Sequence, residues 1–139
     1  MIKYVLDTNT LSALMDGDQA VIDRFAAATP SDVWTPQPAL AEIAFGISRL
    51  GESKRRRELE QRRDLLAAIQ HMPWTDEVTE AFGQIKATLE KQGTRLEDFD
   101  VAIAAHAVAA GAVLVTSNIK HMKRVPGLTV EDWSEDAAG

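Results

Sequence analysis

Four positions far apart in the chain carry the oxygen-bearing side chains best suited to chemistry: Asp7, Glu42, the pair Asp98 and Asp100, and Asn118. Asp7 closes the apolar run Ile2–Leu6, where an Asx turn or a helix cap would also account for it. Glu42 lies off the Leu40/Ile43/Ile47 stripe of its helical stretch, next to the small residues Ala39 and Gly46. No Lys or Arg stands three or four residues from it, so no local ion pair explains it, although an exposed helical Glu without a role is common. Asp98 and Asp100 open another helical stretch, in which one acid is expected as cap or dipole partner and the second is spare. Asn118 follows the apolar run Val113–Thr116 and serves either as a turn cap or as a neutral oxygen donor. Oxygen donors without Cys or a His pair favour Mg²⁺ or Mn²⁺ over Zn²⁺. Such a cation activates water for attack on a phosphodiester and stabilises the leaving oxygen.

Other chemistries lack their residues. The chain has no cysteine, which removes a thiolate zinc site, a cysteine nucleophile and a disulfide scaffold. No G-x-G-x-x-G, no P-loop and no G-x-S-x-G elbow occurs. His71, His106 and His121 are widely separated and read as surface or core histidines.

The elements that must position these acids alternate in type. Ile2–Leu6, Val33–Thr35 and Val113–Thr116 read as short buried strands, Leu128–Val130 as an edge strand, and Met72–Trp74 as a strand or a connection. Helices are expected over Leu11–Met15, Ala20–Ala28, Pro38–Leu50 and Ser53–Gln70, then from Asp76 (as cap) to Gly93 and from Asp98 to Ala110, with Gly111 closing the last. The alternation predicts a three-layer α/β/α domain with a central, mostly parallel sheet of 4–5 strands. Ligands in such sheets sit outside the carboxyl ends of the strands, which is where Asp7 and Thr116–Asn118 fall.

A length of 139 residues, 45% hydrophobic and 26% charged, suits one compact domain with its own core. The longest apolar tract, Val101–Val115, contains His106 and Gly111 and is shorter than the roughly 20 residues of a membrane span. With no targeting segment at Met1–Tyr4, a cytoplasmic, non-membrane protein is expected. The net charge of −6 disfavours general duplex binding. Basic residues concentrate instead in Lys54–Arg63, where six cations face two anions.

Five blocks in order carry a family resemblance: Val5-Leu6-Asp7-Thr8-Asn9, Glu42-Ile43-Ala44-Phe45-Gly46, Leu96–Ala105, Leu114–Asn118 and Val125–Trp133. Together they resemble the PIN domain from Ile2 to Trp133, and most of all the VapC ribonuclease toxins of type II toxin–antitoxin pairs. The resemblance implies a single PIN domain over 1–133 with a flexible tail at 134–139. It implies a Mg²⁺-dependent endoribonuclease (Mn²⁺ as substitute) that cuts tRNA or rRNA, dimerises, and is neutralised by a VapB-type antitoxin. Asp7 then matches the first metal-binding acid, Glu42 the second acid, and Asp100 the acid three residues before Ile103-Ala104-Ala105. Asp7 and Asp100 would bind the metal. Asp98 becomes a cap or accessory group, and Thr8 and Thr116 supporting polar positions. Asn118 stands where many PIN domains carry a fourth acid, so one formal charge is missing. The basic strip, Arg55, Arg56 and Arg62 above all, would hold RNA or the antitoxin, against the alternative of a solvated helix face.

Three rivals fit less well. A haloacid-dehalogenase-type phosphatase wants a second Asp two residues after the first, where Asn9 stands. A receiver module pairs two adjacent acids after its first strand, but Thr8 follows Asp7. A PIN domain kept only for binding would not need Asp7, Glu42 and Asp100 together.

Overall fold

The computed structural model describes residues 1–134. Five strands, β1 (Tyr4–Leu6), β2 (Val33–Pro36), β3 (Gln70–Met72), β4 (Val113–Val115) and β5 (Thr129–Glu131), form one sheet in the order β3-β2-β1-β4-β5. Every pairing is parallel, with Val5 opposite both Trp34 and Leu114. The helices are α1 (Thr8–Met15), α2 (Gln19–Ala27), α3 (Gln37–Ser48), α4 (Lys54–Arg63), α5 (Asp76–Lys91), α6 (Asp98–Ala110) and the short α7 (Ile119–Met122).

The strand order reverses direction at β1. From β1 the chain steps outward to β2 and β3, then crosses back to β4 on the other side and on to β5. Right-handed crossovers therefore put α1–α4 on one face and α5–α7 on the other. The crevice between the carboxyl ends of β1 and β4 is the topological switch point, where ligands of parallel sheets bind.

Burial explains why these segments fold as they do. Val5, Leu6, Leu114 and Val115 are wholly buried, as strands covered on both faces require. In α6, every residue from Val101 to Ala107 is buried. Ile103 and Ala107 join the core around the sheet, whereas Val101, Ala104 and Ala105 join a second cluster with Val78, Ile85 and Leu89 of α5. The alanines let α6 sit between the sheet and α5, and a helix enclosed on both sides needs no polar face there. Gly111 ends α6 at φ +63, a left-handed conformation that only glycine takes without strain. His106 is a core histidine. Its Nδ1 lies 2.8 Å from the Ala102 carbonyl, Trp74 packs edge-on at 5.6 Å, and burial pushes its pKa down.

Several expected boundaries move. The helix expected over Ser53–Gln70 ends at Arg63: α4 has no fully buried residue, only Leu59 packing partly against the core, and the following 3-10 turn, Asp64–Ala68, brings Leu66 into it. Gln70 then joins β3, which ends at Met72, so Pro73 and Trp74 form a connection to α5. Thr75, not Asp76, caps α5, its hydroxyl accepting from the Val78 N–H at 3.3 Å; Asp76 lies in the first turn. The helix α7 after Asn118 was not anticipated. Of the expected tail 134–139, all but Ser134 lies outside the described residues. Among the described residues, no helix is long and apolar enough to cross a membrane.

Candidate active site

Asp7 stands where β1 gives way to α1. Its backbone N–H extends the β1–β4 ladder to the Val115 carbonyl at 3.1 Å, and its extended φ and ψ make it the N-cap of α1. The carboxylate accepts the Thr10 N–H at 2.9 Å, satisfying a free donor of the first turn. Thr10 in turn donates its hydroxyl to the Val115 carbonyl at 3.0 Å, tying α1 to the end of β4. Thr35 does the same between β2 and β1, donating to the Leu6 carbonyl at 3.0 Å. Thr116 continues β4 through a 2.9 Å bond from its N–H to the Glu131 carbonyl, and its hydroxyl accepts the Asn118 N–H at 2.9 Å. Threonines thus brace the strand ends around Asp7, and all three are buried.

Glu42 reaches this crevice from α3. Pro36 and Pro38 start that helix, and its buried stripe of Ala39, Ile43 and Ile47 turns Glu42 away from the core. The Thr8 hydroxyl donates to Glu42 Oε1, so α1 orients the α3 carboxylate. Asp100 arrives from the first turn of α6, half-buried.

The three carboxylates feel one another. Burial, with Asp7 only 4% exposed, raises its pKa; bonds from Thr116 and Thr10 oppose the rise, and the Glu42 charge adds to it. Burial also raises the pKa of Asp100, reinforced by the charges of Glu42, Asp7 and Glu97 and opposed by His121. These side chains offer only oxygen donors, a set whose chemistry would suit Mg²⁺ or Mn²⁺ rather than Zn²⁺. Among the described residues, no three acidic or histidine side chains stand at metal-cage spacing. The acids are neighbours in charge rather than a closed cage.

The other expected residues take different places. Asp98 does not cap α6: the N-cap is Glu97, without a side-chain bond, and Asp98 pairs with Lys86 of α5 at 2.9 Å. Asn118 is the N-cap position of α7 but makes no side-chain cap bond; its Oδ1 lies 2.7 Å from Nδ1 of His121. The turn-cap role does not fit that arrangement. In the basic strip, Arg56 pairs with Glu60 at 2.8 Å and Arg62 faces Asp16 at 3.5 Å. Arg55 instead lines a groove of about 210 Å³ with Thr8 and Glu42. Sequence reasoning missed Thr10 and His121. The Asp-x-x-Thr spacing at Asp7 and the Asn-x-x-His spacing at Asn118 were the available signals.

By class, this is a small all-parallel α/β/α domain with an acidic site at its strand switch point. The family model described as "PIN domain" matches residues 4–128, and the chain belongs to the PIN domain family. It is 34% identical over 97 residues to a protein named Ribonuclease VapC2 from Rickettsia felis, covering 69% of this chain and 70% of that one. It is 29% identical over 134 residues to a tRNA(fMet)-specific endonuclease VapC from Salmonella typhimurium, covering 96% and 99%. Among solved structures it is similar to DNA-bound VapBC from Salmonella typhimurium, with a TM-score of 0.86 at 28% identity, again over 96% and 99% of the two chains. The PIN-like fold and the VapC likeness of the sequence are thereby established, as is the class of enzyme, a nuclease.

Proposed function

We propose that this protein is a Mg²⁺-dependent endoribonuclease, the toxin of a type II pair, which hydrolyses tRNA or rRNA and is neutralised by a VapB-type antitoxin. One observation carries the reading: three carboxylates from β1, α3 and α6 meet in charge at the switch point, with Asp7 and Asp100 held above their ordinary pKa. Asp7 and Asp100 would hold the cation, which when bound supplies Lewis-acid stabilisation of a phosphodiester and a more acidic water. Thr8 occupies Oε1 of Glu42, which leaves Oε2 to take the proton of the attacking water. Thr10 and Thr116 keep the Asp7 carboxylate oriented, and no protein nucleophile is required.

The relatives support the partner and the substrate class. One is named for tRNA(fMet), and a similar solved structure is a VapBC complex. The working form is proposed to be a cytoplasmic homodimer, which sedimentation of the free protein tests. The central experiment is cleavage of total tRNA and rRNA by purified, partner-free protein. Discrete fragments with Mg²⁺, lost with EDTA and with Asp100→Asn, are expected. Intact RNA from folded, antitoxin-free protein under every metal condition would overturn the nuclease reading for a binding one.

A further inference from the structure

A groove of about 760 Å³ opens from Glu42 along the end of α5 and the start of α6. Phe99 lines it with 51% of its surface exposed, next in sequence to Asp100 of the acidic cluster. The core has no use for this ring, since α6 buries its residues only from Val101 onward. Arg95 lines the same groove and makes no ion pair among the described residues, whereas Lys86 is occupied by Asp98. Glu90, Glu97 and Asp98 line the groove too, so Arg95 is its one cation without an ion pair among the described residues, and a flat apolar face with that guanidinium in one groove matches a nucleobase and a single phosphate. The groove shares Glu42 with the acidic cluster, which gives a strand lying across the acids a direct path along it.

We propose that Phe99 is the stacking platform for the base next to the scissile phosphate of a single-stranded RNA segment, with Arg95 on the adjoining phosphate. The inference rests on the nuclease reading above and names how that site grips its substrate. Stacking tolerates any base, so Phe99 would contribute grip along the strand and leave sequence choice to other contacts. Phe99 and Arg95 bind and orient here; neither touches the reacting atoms.

The test is a double-mutant cycle on RNA cleavage. Wild type and Phe99→Ala are compared on a mapped substrate and on versions abasic at either nucleotide flanking the cut. Phe99→Ala is expected to lower kcat/KM about ten- to a hundredfold on intact RNA, carried mainly by KM, and to have little effect once the stacked base is removed. Phe99→Trp should retain most activity and Phe99→Leu should lose most, which separates a π face from mere apolar bulk. Arg95→Ala should flatten the slope of log affinity against log salt by about 0.7, the share of one phosphate on a single strand. Thermal melting of each variant controls for folding, and half-exposed Phe99 is expected to leave it unchanged. Equal losses on intact and abasic RNA would overturn the proposal. So would unchanged cleavage by Phe99→Ala combined with weaker antitoxin inhibition, which would assign the groove to a peptide. If wild type cuts no RNA at all, the nuclease reading itself has failed, a distinct outcome.

Discussion

Replacing Asp7 by Asn should stabilise the metal-free protein while abolishing its response to Mg²⁺. The carboxylate is buried and faces the charges of Glu42 and Asp100, and burial is the main reason its pKa is raised. An Asn side chain keeps an oxygen for the Thr10 N–H, so the α1 cap survives; Ala would lose it at about 1 kcal/mol. The sign follows from linkage. A folded-state pKa above the unfolded value means the folded chain holds the proton more tightly, so Asp7 favours folding most at low pH. That advantage falls away as pH rises from roughly 3.9 through the raised folded value. In EDTA at pH 7, Asp7→Asn should therefore melt above wild type, with the gap closing as pH drops into the carboxylate range. At 100 times its dissociation constant, Mg²⁺ should add about 2.7 kcal/mol to wild type. With an unfolding entropy of about 2.1 cal/mol/K for each of 139 residues, that is a rise of about 9 °C in Tm. Circular dichroism melts with and without Mg²⁺ measure both effects. An Asp7→Asn protein less stable than wild type in EDTA, or one that gains the full Mg²⁺ shift, would refute the reasoning.

Other consequences are as direct. Thr8→Val frees Glu42 from its only hydrogen-bond partner among the described residues and should reduce RNA cleavage about ten- to a hundredfold, the worth of a bond to a charged group, with Thr8→Ser restoring most of it. Because Asp7 and Asp100 must lose protons to bind a cation, cleavage at subsaturating Mg²⁺ should rise with pH through a midpoint above ordinary carboxylate values. Saturating Mg²⁺ should move that midpoint down, and a pH–rate profile at two metal levels decides it. Leu114→Ala, at a wholly buried position of β4, should lower unfolding free energy by about 2–5 kcal/mol in a denaturant titration. Arg55→Ala should weaken RNA cleavage or antitoxin inhibition, because Arg55 lines the groove with Thr8 and Glu42. Arg56→Ala should alter only helix stability, by a few tenths of a kcal/mol, as its partner is Glu60 one turn on.

How much of this was legible in the sequence varied with the range of the interactions. Strands buried on both faces declare themselves as short apolar runs, so β1, β2 and β4 could be placed within a residue or two. Strand order could not, because residue patterning carries no record of which edges pair. The charged segment after Ser53 misled for a related reason. Helical periodicity continued through Leu65 and Ile69, but the chain must break at Asp64 so that Leu66 and Ile69 face the core and Gln70 can pair with Trp34. At the site, Glu42 is the acid that sequence marks by its lack of a local ion pair, whereas Asp7 reads equally as a cap, which it also is, and only the family resemblance separates Asp100 from Asp98. The fates of Asp98 and Asn118 depended on Lys86, twelve residues away, and on His121 at the first turn of a four-residue helix. Local patterning assigns caps, whereas a competing side chain, distant for Asp98 and three residues on for Asn118, withdraws them.

The same interactions explain how a chain of net charge −6 can present such a site. Bringing Asp7 and Asp100 out of water beside Glu42 works against folding, and the opposing forces are local and nameable. Thr10 and Thr116 meet Asp7, Thr8 meets Glu42, and His121 offsets part of the charge felt by Asp100. None of these groups neutralises a carboxylate outright. A lysine in the crevice would do so and would stabilise the domain, but it would also take the place of the proposed cation. Lys86, which lines the groove that Glu42 also lines, is paired with Asp98 instead. Holding these acids together therefore carries a cost in stability, which is the usual relation between a binding site and the fold that carries it. That cost would link the proposed cation binding to folding, so a variant that relaxes the acids without a metal is expected also to lose affinity for one.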